Sequence, residues 1–183
     1  MKPPATFETE RLRLRCPVME DAAAIFSTYA QDPAVTRYVS WRPHQGIGDT
    51  REFLRYCLAG WQHDGPFTWV ITVGADGHLL GALELRPQGA RVELGYVLGR
   101  AYWGQGFMTE AVRAVTEWAL GQPEIYRVWA VCDVENRASA RVLEKVGMER
   151  EGMLRRWSAH PNVSAVPRDC WCYARVKATE APR

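Results

Sequence analysis

The stretch that decides the fold is ELGYVLGRAYWGQGFMTEA, residues 93–111, which predicts a strand, a glycine-rich turn and the start of an amphipathic helix. In the turn, Gly99, Gly104 and Gly106 let the backbone come close to a ligand. The free N–H groups at the start of the helix, together with the positive end of its dipole, suit a phosphate or pyrophosphate. The pattern predicts a local anion site; the alternative is a loop that only turns a corner.

Two common phosphate-binding motifs do not explain this turn. The Walker motif needs Gly-Lys-Ser/Thr, which does not occur here. The dinucleotide-binding fingerprint needs a third glycine, and Thr109 stands at that position. The turn therefore belongs to another class of anion site.

The sequence on either side predicts strands and helices in alternation. The hydrophobic periodicity predicts about seven strands, at 11–16, 67–73, 79–86, 91–98, 127–132, 148–157 and 170–176. It also predicts about four helices, at 19–31, 49–61, 106–120 and 136–146. The turn Ala75-Asp76-Gly77-His78 predicts a hairpin. We therefore expect an α+β (α/β) fold with a mixed, mostly antiparallel sheet.

Composition limits the function classes. The chain has 183 residues, 47% hydrophobic and 24% charged, which predicts a single globular domain over residues 1–183. A net charge of +2 argues against a partner held by bulk charge, such as nucleic acid or an anionic membrane. The five cysteines are scattered without a zinc-site spacing, so we expect no metal and a reducing environment. With no signal-like or membrane-spanning segment, the expected location is cytoplasmic.

Two blocks of sequence resemble one known family. Trp103-Gly104-Gln105-Gly106-Phe107-Met108 is similar to the loop Arg/Gln-x-x-Gly-x-Gly/Ala of the GNAT N-acetyltransferases, although Trp103 and Met108 depart from that pattern. Residues 136–148, NRASARVLEKVGM, resemble a helix of the RimJ/RimL-like branch, which includes ribosomal-protein N-terminal acetyltransferases. The resemblance also covers Thr-Glu-Arg-Leu-x-Leu-Arg at 9–15. It is weakest over 32–65 and 160–168, where we expect the acceptor to bind.

The resemblance implies the GNAT fold and acetyl-CoA as co-substrate. The fourth and fifth predicted strands, 91–98 and 127–132, would then splay apart. Unpaired backbone groups near Tyr96, Val97 and Leu98 would pair with the pantetheine arm. The implied pyrophosphate site comprises Trp103, Gly104, Gln105, Gly106, Phe107, Met108 and Thr109. The implied contacts from the following helix are Asn136, Ser139 and Arg141, with Arg137 beside them; a solvated helix face is the alternative for the two arginines.

In this family the acceptor amine attacks the thioester directly, in a ternary complex. A protonated amine cannot attack, so a carboxylate should accept its proton. Glu93 is the first candidate for this base, and Glu84, Asp133 or water are the alternatives. If Glu93 has no catalytic role, we expect it to be a strand-edge carboxylate paired with an arginine. Ser139 would donate to the departing thiolate; otherwise it bonds back to the preceding helical turn. The apolar setting of Cys132 argues against a nucleophilic role.

The acceptor site is the least determined part of the sequence. We assign Trp41, Arg42, His44, Trp69 and Glu84 to it, with surface packing as the alternative for the first three. The acceptor is then a protein N-terminal α-amine or a small-molecule amine such as a polyamine, an antibiotic or an amino acid. A third hypothesis is a non-catalytic acyl-CoA-binding module. A homodimer is left open.

Overall fold

The computed structural model describes residues 1–74 and 77–178. Its strands are β1 (Thr6–Glu8), β2 (Leu12–Arg15), β3 (Phe67–Val73), β4 (His78–Gln88), β5 (Arg91–Leu98), β6 (Arg127–Asp133), β7 (Glu149–Ser158) and β8 (Arg168–Val176). Across the described residues they form one eight-stranded sheet in the order β1-β2-β3-β4-β5-β6-β8-β7. All neighbouring strands are antiparallel except β5 and β6.

The predicted strands are present, together with one further strand that the sequence pattern did not predict. That strand is β1, which pairs with β2 through Thr6 and Arg15. Its three residues are too few for a periodic pattern to identify. The predicted hairpin of β3 and β4 is confirmed by their antiparallel pairing. Ala75 and Asp76 of its turn lie outside the described residues.

The helices are α1 (Ala22–Ile25), α2 (Ile47–Gln62), α3 (Phe107–Gly121) and α4 (Arg137–Lys145). The helix predicted over 19–31 is present as an uninterrupted helical segment over 19–30, but its turn type changes: a 3₁₀ turn (Met19–Asp21) precedes α1 and a π-helix (Phe26–Ala30) follows it. The Asp21 carboxylate fixes the first turn, since it accepts from the Val18 N–H at 2.8 Å and from Arg15. The wider π turn buries the adjacent residues Tyr29 and Ala30 together.

The two faces of the sheet bury different cores. On one face Leu83, Leu85 and Val92 pack with α3 and α4. On the other face Val70 and Ala82 pack with α1 and α2. The alternation of side chains along each strand produces this division. It also places α3 and α4 on one face of the sheet, and Trp41 of the segment expected to bind the acceptor on the other face.

The predicted splay lies between β5 and β6. These strands pair at only three positions, Arg91 with Arg127, Val92 with Val128 and Glu93 with Trp129. Beyond Glu93 the two strands separate, while β6 continues its pairing with β8 to Asp133. The splay opens the sheet at the edge where the glycine-rich turn begins. In the described residues, no helix has the length and apolar character needed to cross a membrane.

Candidate functional site

A cavity of about 1380 Å³ occupies the splay. Its floor is the separated part of β5 and β6, and the start of α3 and the side of α4 form one end. The segment 33–44 and the segment 157–162 form the other end. One continuous space therefore joins the glycine-rich turn to the expected acceptor region.

The glycine-rich turn presents unpaired backbone donors to this cavity. Gly104 and Gly106 have φ angles of 76° and 83°, the left-handed region that favours glycine. Gly106 is the N-cap of α3, and its carbonyl accepts from the Glu110 N–H at 3.0 Å. Within the described chain, the N–H groups of residues 105–109 have no hydrogen-bond acceptor. Such a row of donors at a helix start fits a pyrophosphate.

Two distant motifs meet behind this turn. The Arg11 Nε donates to Glu110 Oε2 at 2.7 Å, and the Thr9 hydroxyl donates to Glu110 Oε1 at 2.6 Å. Arg11 Nη1 also donates to the Gln105 carbonyl at 3.0 Å. Burial alone would raise the pKa of Glu110, but these hydrogen bonds hold it below its ordinary value. The opening motif therefore fixes the turn from behind, a contact that the sequence analysis did not anticipate.

The predicted cofactor residues do not all reach the cavity in the same way. The turn residues that line it are Trp103, Gly104, Gly106, Phe107, Met108 and Thr109. The side chain of Gln105 is directed back to the Ala101 carbonyl, at 2.9 Å. On β5, Tyr96, Val97 and Leu98 line the splay. Of the backbone groups expected to be unpaired near Tyr96, Val97 and Leu98, the Leu98 carbonyl is occupied, because it accepts from the Trp103 indole N–H at 2.7 Å.

Ser139 faces the cavity from the first turns of α4. Its Oγ lies 2.7 Å from the Tyr96 hydroxyl oxygen, and its N–H donates to the side chain of the N-cap Asn136 at 3.2 Å. The Tyr96 hydroxyl also lies 3.3 Å from the Ser139 carbonyl. Burial raises the pKa of Tyr96, so this phenol is a neutral donor. The bond of Ser139 back to the preceding helical turn, the alternative interpretation, is replaced by this pairing across the splay. Arg137 and Arg141 line the cavity on the same helix.

The two carboxylates Glu84 and Glu93 lie on the opposite side of the splay. Both line the cavity and both contact Arg86, at 2.5 Å for Glu84 and 3.3 Å for Glu93. Glu84 also accepts from the Thr68 hydroxyl at 3.0 Å. Glu93 is therefore paired with an arginine, as its structural interpretation predicts. Its position beside the splay also fits the interpretation as a catalytic base.

Asp133 is not brought into the cavity. Its side chain is fully buried and accepts from Arg168 Nε at 2.5 Å. Burial alone would raise the pKa of Asp133, and the bond from Arg168 lowers it below its ordinary value. Cys132 does line the cavity, and burial raises the pKa of its thiol to about 12. A thiol with that pKa is protonated at neutral pH, which agrees with the argument against a nucleophile.

The predicted acceptor residues divide into two groups. Trp41, His44 and Glu84 line the cavity, and burial lowers the pKa of His44. Arg42 is exposed and lies outside the cavity lining. The assignment of Trp69 is wrong: the side chain is fully buried in the core with α3, and its indole donates to the Pro4 carbonyl at 3.1 Å. Because side chains alternate along β3, its neighbour Thr68 faces the cavity instead.

Further cavity residues come from segments without a periodic pattern. The Asn162 amide donates to the carbonyls of Thr36 and Trp41, each at 2.7 Å, and so joins the two loops of the acceptor end. His160 and Tyr29 also line this end, and each is nearly fully buried with a polar atom that lacks a partner in the described chain. Because these three residues are far apart or lack a periodic pattern in the sequence, nothing in it indicated that they line the same end of the cavity. Among the described residues no cluster of His, Cys, Asp or Glu could hold a metal.

Comparison with known proteins identifies the family. Residues 11–149 match the model of the acetyltransferase (GNAT) domain. The chain belongs to the GNAT acetyltransferase family. YkkB of Bacillus subtilis (strain 168), described as uncharacterized, is 32% identical over 157 residues, 82% of this chain and 88% of its own. This GNAT chain is thus similar to a relative of nearly its own length.

Solved structures have the same fold. A GNAT-family acetyltransferase from Bacillus anthracis superposes with a TM-score of 0.81 at 25% identity, over 94% of this chain and 98% of that one. RimL, a ribosomal L7/L12 α-N-protein acetyltransferase in complex with coenzyme A, gives 0.80 at 20% identity, over 94% and 96%. The protein is accordingly an acetyl-CoA-dependent acyltransferase of the GNAT fold, with RimL among its structural neighbours.

Proposed function

We propose that this GNAT protein transfers an acetyl group from acetyl-CoA to a primary amine by direct attack within a ternary complex. The observation that carries the proposal is the single cavity joining the unpaired N–H groups of 105–109, the splay, and the side chains of Ser139 and Glu93. A ternary complex needs both substrates in one space, and this cavity offers it. We treat residues 1–183 as one catalytic domain.

Acetyl-CoA supplies the acetyl group as a thioester. The backbone donors of residues 105–109 bind the pyrophosphate, and Gly106 keeps that approach open. The backbone of Tyr96, which the alternation of β5 directs towards the splay, orients the pantetheine arm along the strand. Arg137 and Arg141 lie where they attract phosphate oxygens.

Glu93 accepts the proton of the acceptor ammonium, directly or through water. Its support is its place at the last paired position of β5 and β6, where the splay begins. Glu84, two strand positions from Arg86 on the same face, binds the ammonium and orients it toward Glu93. The amine is thereby freed of its proton beside the thioester.

Ser139 donates a hydrogen bond toward the position of the thioester sulfur. A hydroxyl is a weak acid beside a thiol, so the bond eases departure of the thiolate without full proton transfer. Tyr96 supports this role because its hydroxyl holds Ser139 Oγ in place, and when the phenol is the donor of that bond the serine proton stays available to the cavity.

The proposed acceptor is a protein N-terminal α-amine, the class named for RimL. One observation favours the alternative of a small-molecule amine. Asn162 ties the segment of Thr36 and Trp41 to its own loop, and Trp41, His44 and Tyr38 add an aromatic wall at the same end. An acceptor end whose loops are tied together and whose wall is aromatic fits a short acceptor better than a continuing polypeptide.

The experiment is an acceptor screen with the purified protein and acetyl-CoA, read by release of free thiol and by the mass of the product. The panel holds peptides with free N-termini, polyamines, amino acids and amine antibiotics. Thiol release with an acceptor gain of one acetyl group supports the proposal. Tight binding of acetyl-CoA without thiol release for any amine would instead favour the non-catalytic binding module.

A further inference from the structure

Arg86 lies between the two carboxylates of the acceptor end. Its Nε is 2.5 Å from Glu84 Oε1, and its Nη1 is 3.3 Å from Glu93 Oε1. Arg86 and Glu93 are directly paired across β4 and β5, and Glu84 is two residues before Arg86. Side chains at these positions share one face of the sheet, so the strand register itself brings the three charges together.

Each carboxylate is held at both of its oxygens. Glu84 uses its second oxygen to accept from the Thr68 hydroxyl at 3.0 Å. Glu93 uses its second oxygen to accept from the Gln88 amide at 3.2 Å. Arg86 is thus the charged partner common to both, and neutral donors complete each site. This arrangement fixes the orientation of both carboxylates rather than only neutralising them.

The charge balance shows what Arg86 does. The side chains of Glu84 and Glu93 are only 13% and 16% exposed, so water screens their mutual repulsion poorly. Removing the cation between two nearby carboxylates strengthens their repulsion and favours the uptake of a proton by one of them. Burial alone would lower the pKa of Arg86, but the two carboxylates raise it, and Arg86 stays charged.

We infer that Arg86 is a positioning residue of the acceptor site, which keeps Glu84 and Glu93 both ionised and in fixed places so that Glu93 is ready to accept the amine proton. The inference rests on the proposed acetyl transfer. With Arg86 in place the three side chains carry a net charge of about −1, which suits an approaching ammonium. Without it, the two carboxylates lose the charged group that holds both of them.

Gly95 is part of the same arrangement. It is paired with Glu84 across the strands, and a Cβ at this position would lie 3.2 Å from Arg86 Nη2. The missing side chain leaves room for the guanidinium to reach Glu93. A methyl group would force the guanidinium to move by a few tenths of an ångström, which makes Gly95→Ala an independent way to disturb the Arg86 contacts without removing their charge.

Other titratable groups near the three charges do not ionise in the same pH range. Tyr56 and Cys57 of α2 lie close enough to Glu84 to interact with its charge, and Cys172 of β8 interacts in the same way with Glu93. Burial raises the pKa of Tyr56 and of Cys172, and it raises the pKa of Cys57 to about 12. All three are neutral at pH 5 to 8. A change in titration there therefore reports on the two carboxylates.

The first test is the pH dependence of kcat/KM for wild type, Arg86→Gln and Arg86→Lys with the best acceptor of the screen. In Arg86→Gln we expect the low-pH limb to move up by about 1–3 pH units, with the KM for acetyl-CoA unchanged. Arg86→Lys keeps the charge and should restore most of the limb position. Gly95→Ala should give a smaller shift. The matched control is Arg13→Gln, which removes an exposed ion pair between Arg13 of β2 and Glu8 of β1.

The second test does not depend on turnover. Carboxyl carbons of ¹³C-labelled glutamate are followed by NMR from pH 3 to 8, with Glu84→Gln and Glu93→Gln used for assignment. We expect one of these carboxyls to titrate at least about one pH unit higher in Arg86→Gln than in wild type. Unmoved carboxyl titration and an unmoved limb in a folded Arg86→Gln variant would overturn the inference. Absence of acetyl transfer by the wild type would overturn only the proposed function.

Discussion

The Tyr96 hydroxyl and Ser139 Oγ meet across the splay at 2.7 Å, joining the separated strand β5 to the first turns of α4. This bond spans 43 positions of sequence. It places a buried, neutral phenol behind the serine that faces the cavity. The pair links the architecture of the splay to the proposed departure of the thiolate.

Ser139→Ala should lower kcat by about 10- to 100-fold, because the variant loses one hydrogen bond to the departing sulfur. The affinity for acetyl-CoA, measured by calorimetry, and the melting temperature should change little. Full activity of this variant would exclude the assisting role and leave the thiolate to depart without a donor.

Tyr96→Phe should lower kcat by about 10-fold with acetyl-CoA affinity preserved, since Ser139 loses the hydrogen bond that orients it. The combination with Ser139→Ala tests the coupling. If Tyr96 acts through Ser139, the double variant is no slower than Ser139→Ala alone. Multiplied effects in the double variant would show that the two hydroxyls act separately.

Gly106→Val should weaken acetyl-CoA binding by at least about 10-fold. Valine disfavours the φ of 83° at this position, and its Cβ would lie 3.4 Å from Arg11 Nη2, so the turn and its backbone donors must shift. Gly89→Val is the matched control, because Gly89 has a φ of 65° in the turn between β4 and β5 and an open surrounding. Calorimetric titration of both variants with coenzyme A decides the matter; equal affinities would mean that the turn only changes the chain direction.

Glu93→Gln should lower kcat/KM most at low pH, where the acceptor amine is protonated and needs a base. The loss should shrink as the pH approaches the pKa of the amine, because the free amine attacks without help. Acetyl-CoA affinity should be unaffected. Glu84→Gln provides the comparison, and a larger low-pH loss in that variant would transfer the role of base to Glu84.

Asp133→Asn should lower the free energy of unfolding by about 2–3 kcal/mol at pH 7, because it breaks a buried ion pair with Arg168 and leaves the arginine charge behind. The folded-state pKa of Asp133 lies below its ordinary value, so its stabilisation is complete above the unfolded pKa of about 3.9 and is lost as the pH falls through the folded pKa. Urea unfolding should therefore give a smaller difference between wild type and variant at pH 3 than at pH 7.

The control for this stability measurement is Glu151→Gln. Glu151 pairs with Arg127 on the surface, with 42% of its side chain exposed. Solvent screening limits the contribution of such a pair to less than about 1 kcal/mol. A cost for Glu151→Gln equal to that for Asp133→Asn would contradict the argument from burial.

Local sequence determined the elements and the glycine-rich turn that we propose binds the cofactor. Residues 93–111 specify their own local structure without distant contacts. They form a strand, a turn with positive φ at Gly104 and Gly106, and the start of the amphipathic α3. Hydrophobic periodicity was enough for β3 to β8 because each strand has seven or more residues. The changes of turn type within the first helix were not predicted, because Asp21 and the π turn depend on contacts with β2 and the sheet.

The partners of the site residues were decided by tertiary structure alone. Glu93 was identifiable as a candidate base, but its pairing with Arg86 depends on the register of β4 and β5. Trp69 is a residue type that often lines pockets. Its position on β3 nevertheless directs its side chain into the core with α3. The contacts of Arg11 with Glu110 and of Tyr96 with Ser139 span 99 and 43 positions. Hydrophobic pattern specifies which face of an element is buried, whereas the meeting of two polar side chains depends on strand order, register and splay, which no local pattern encodes.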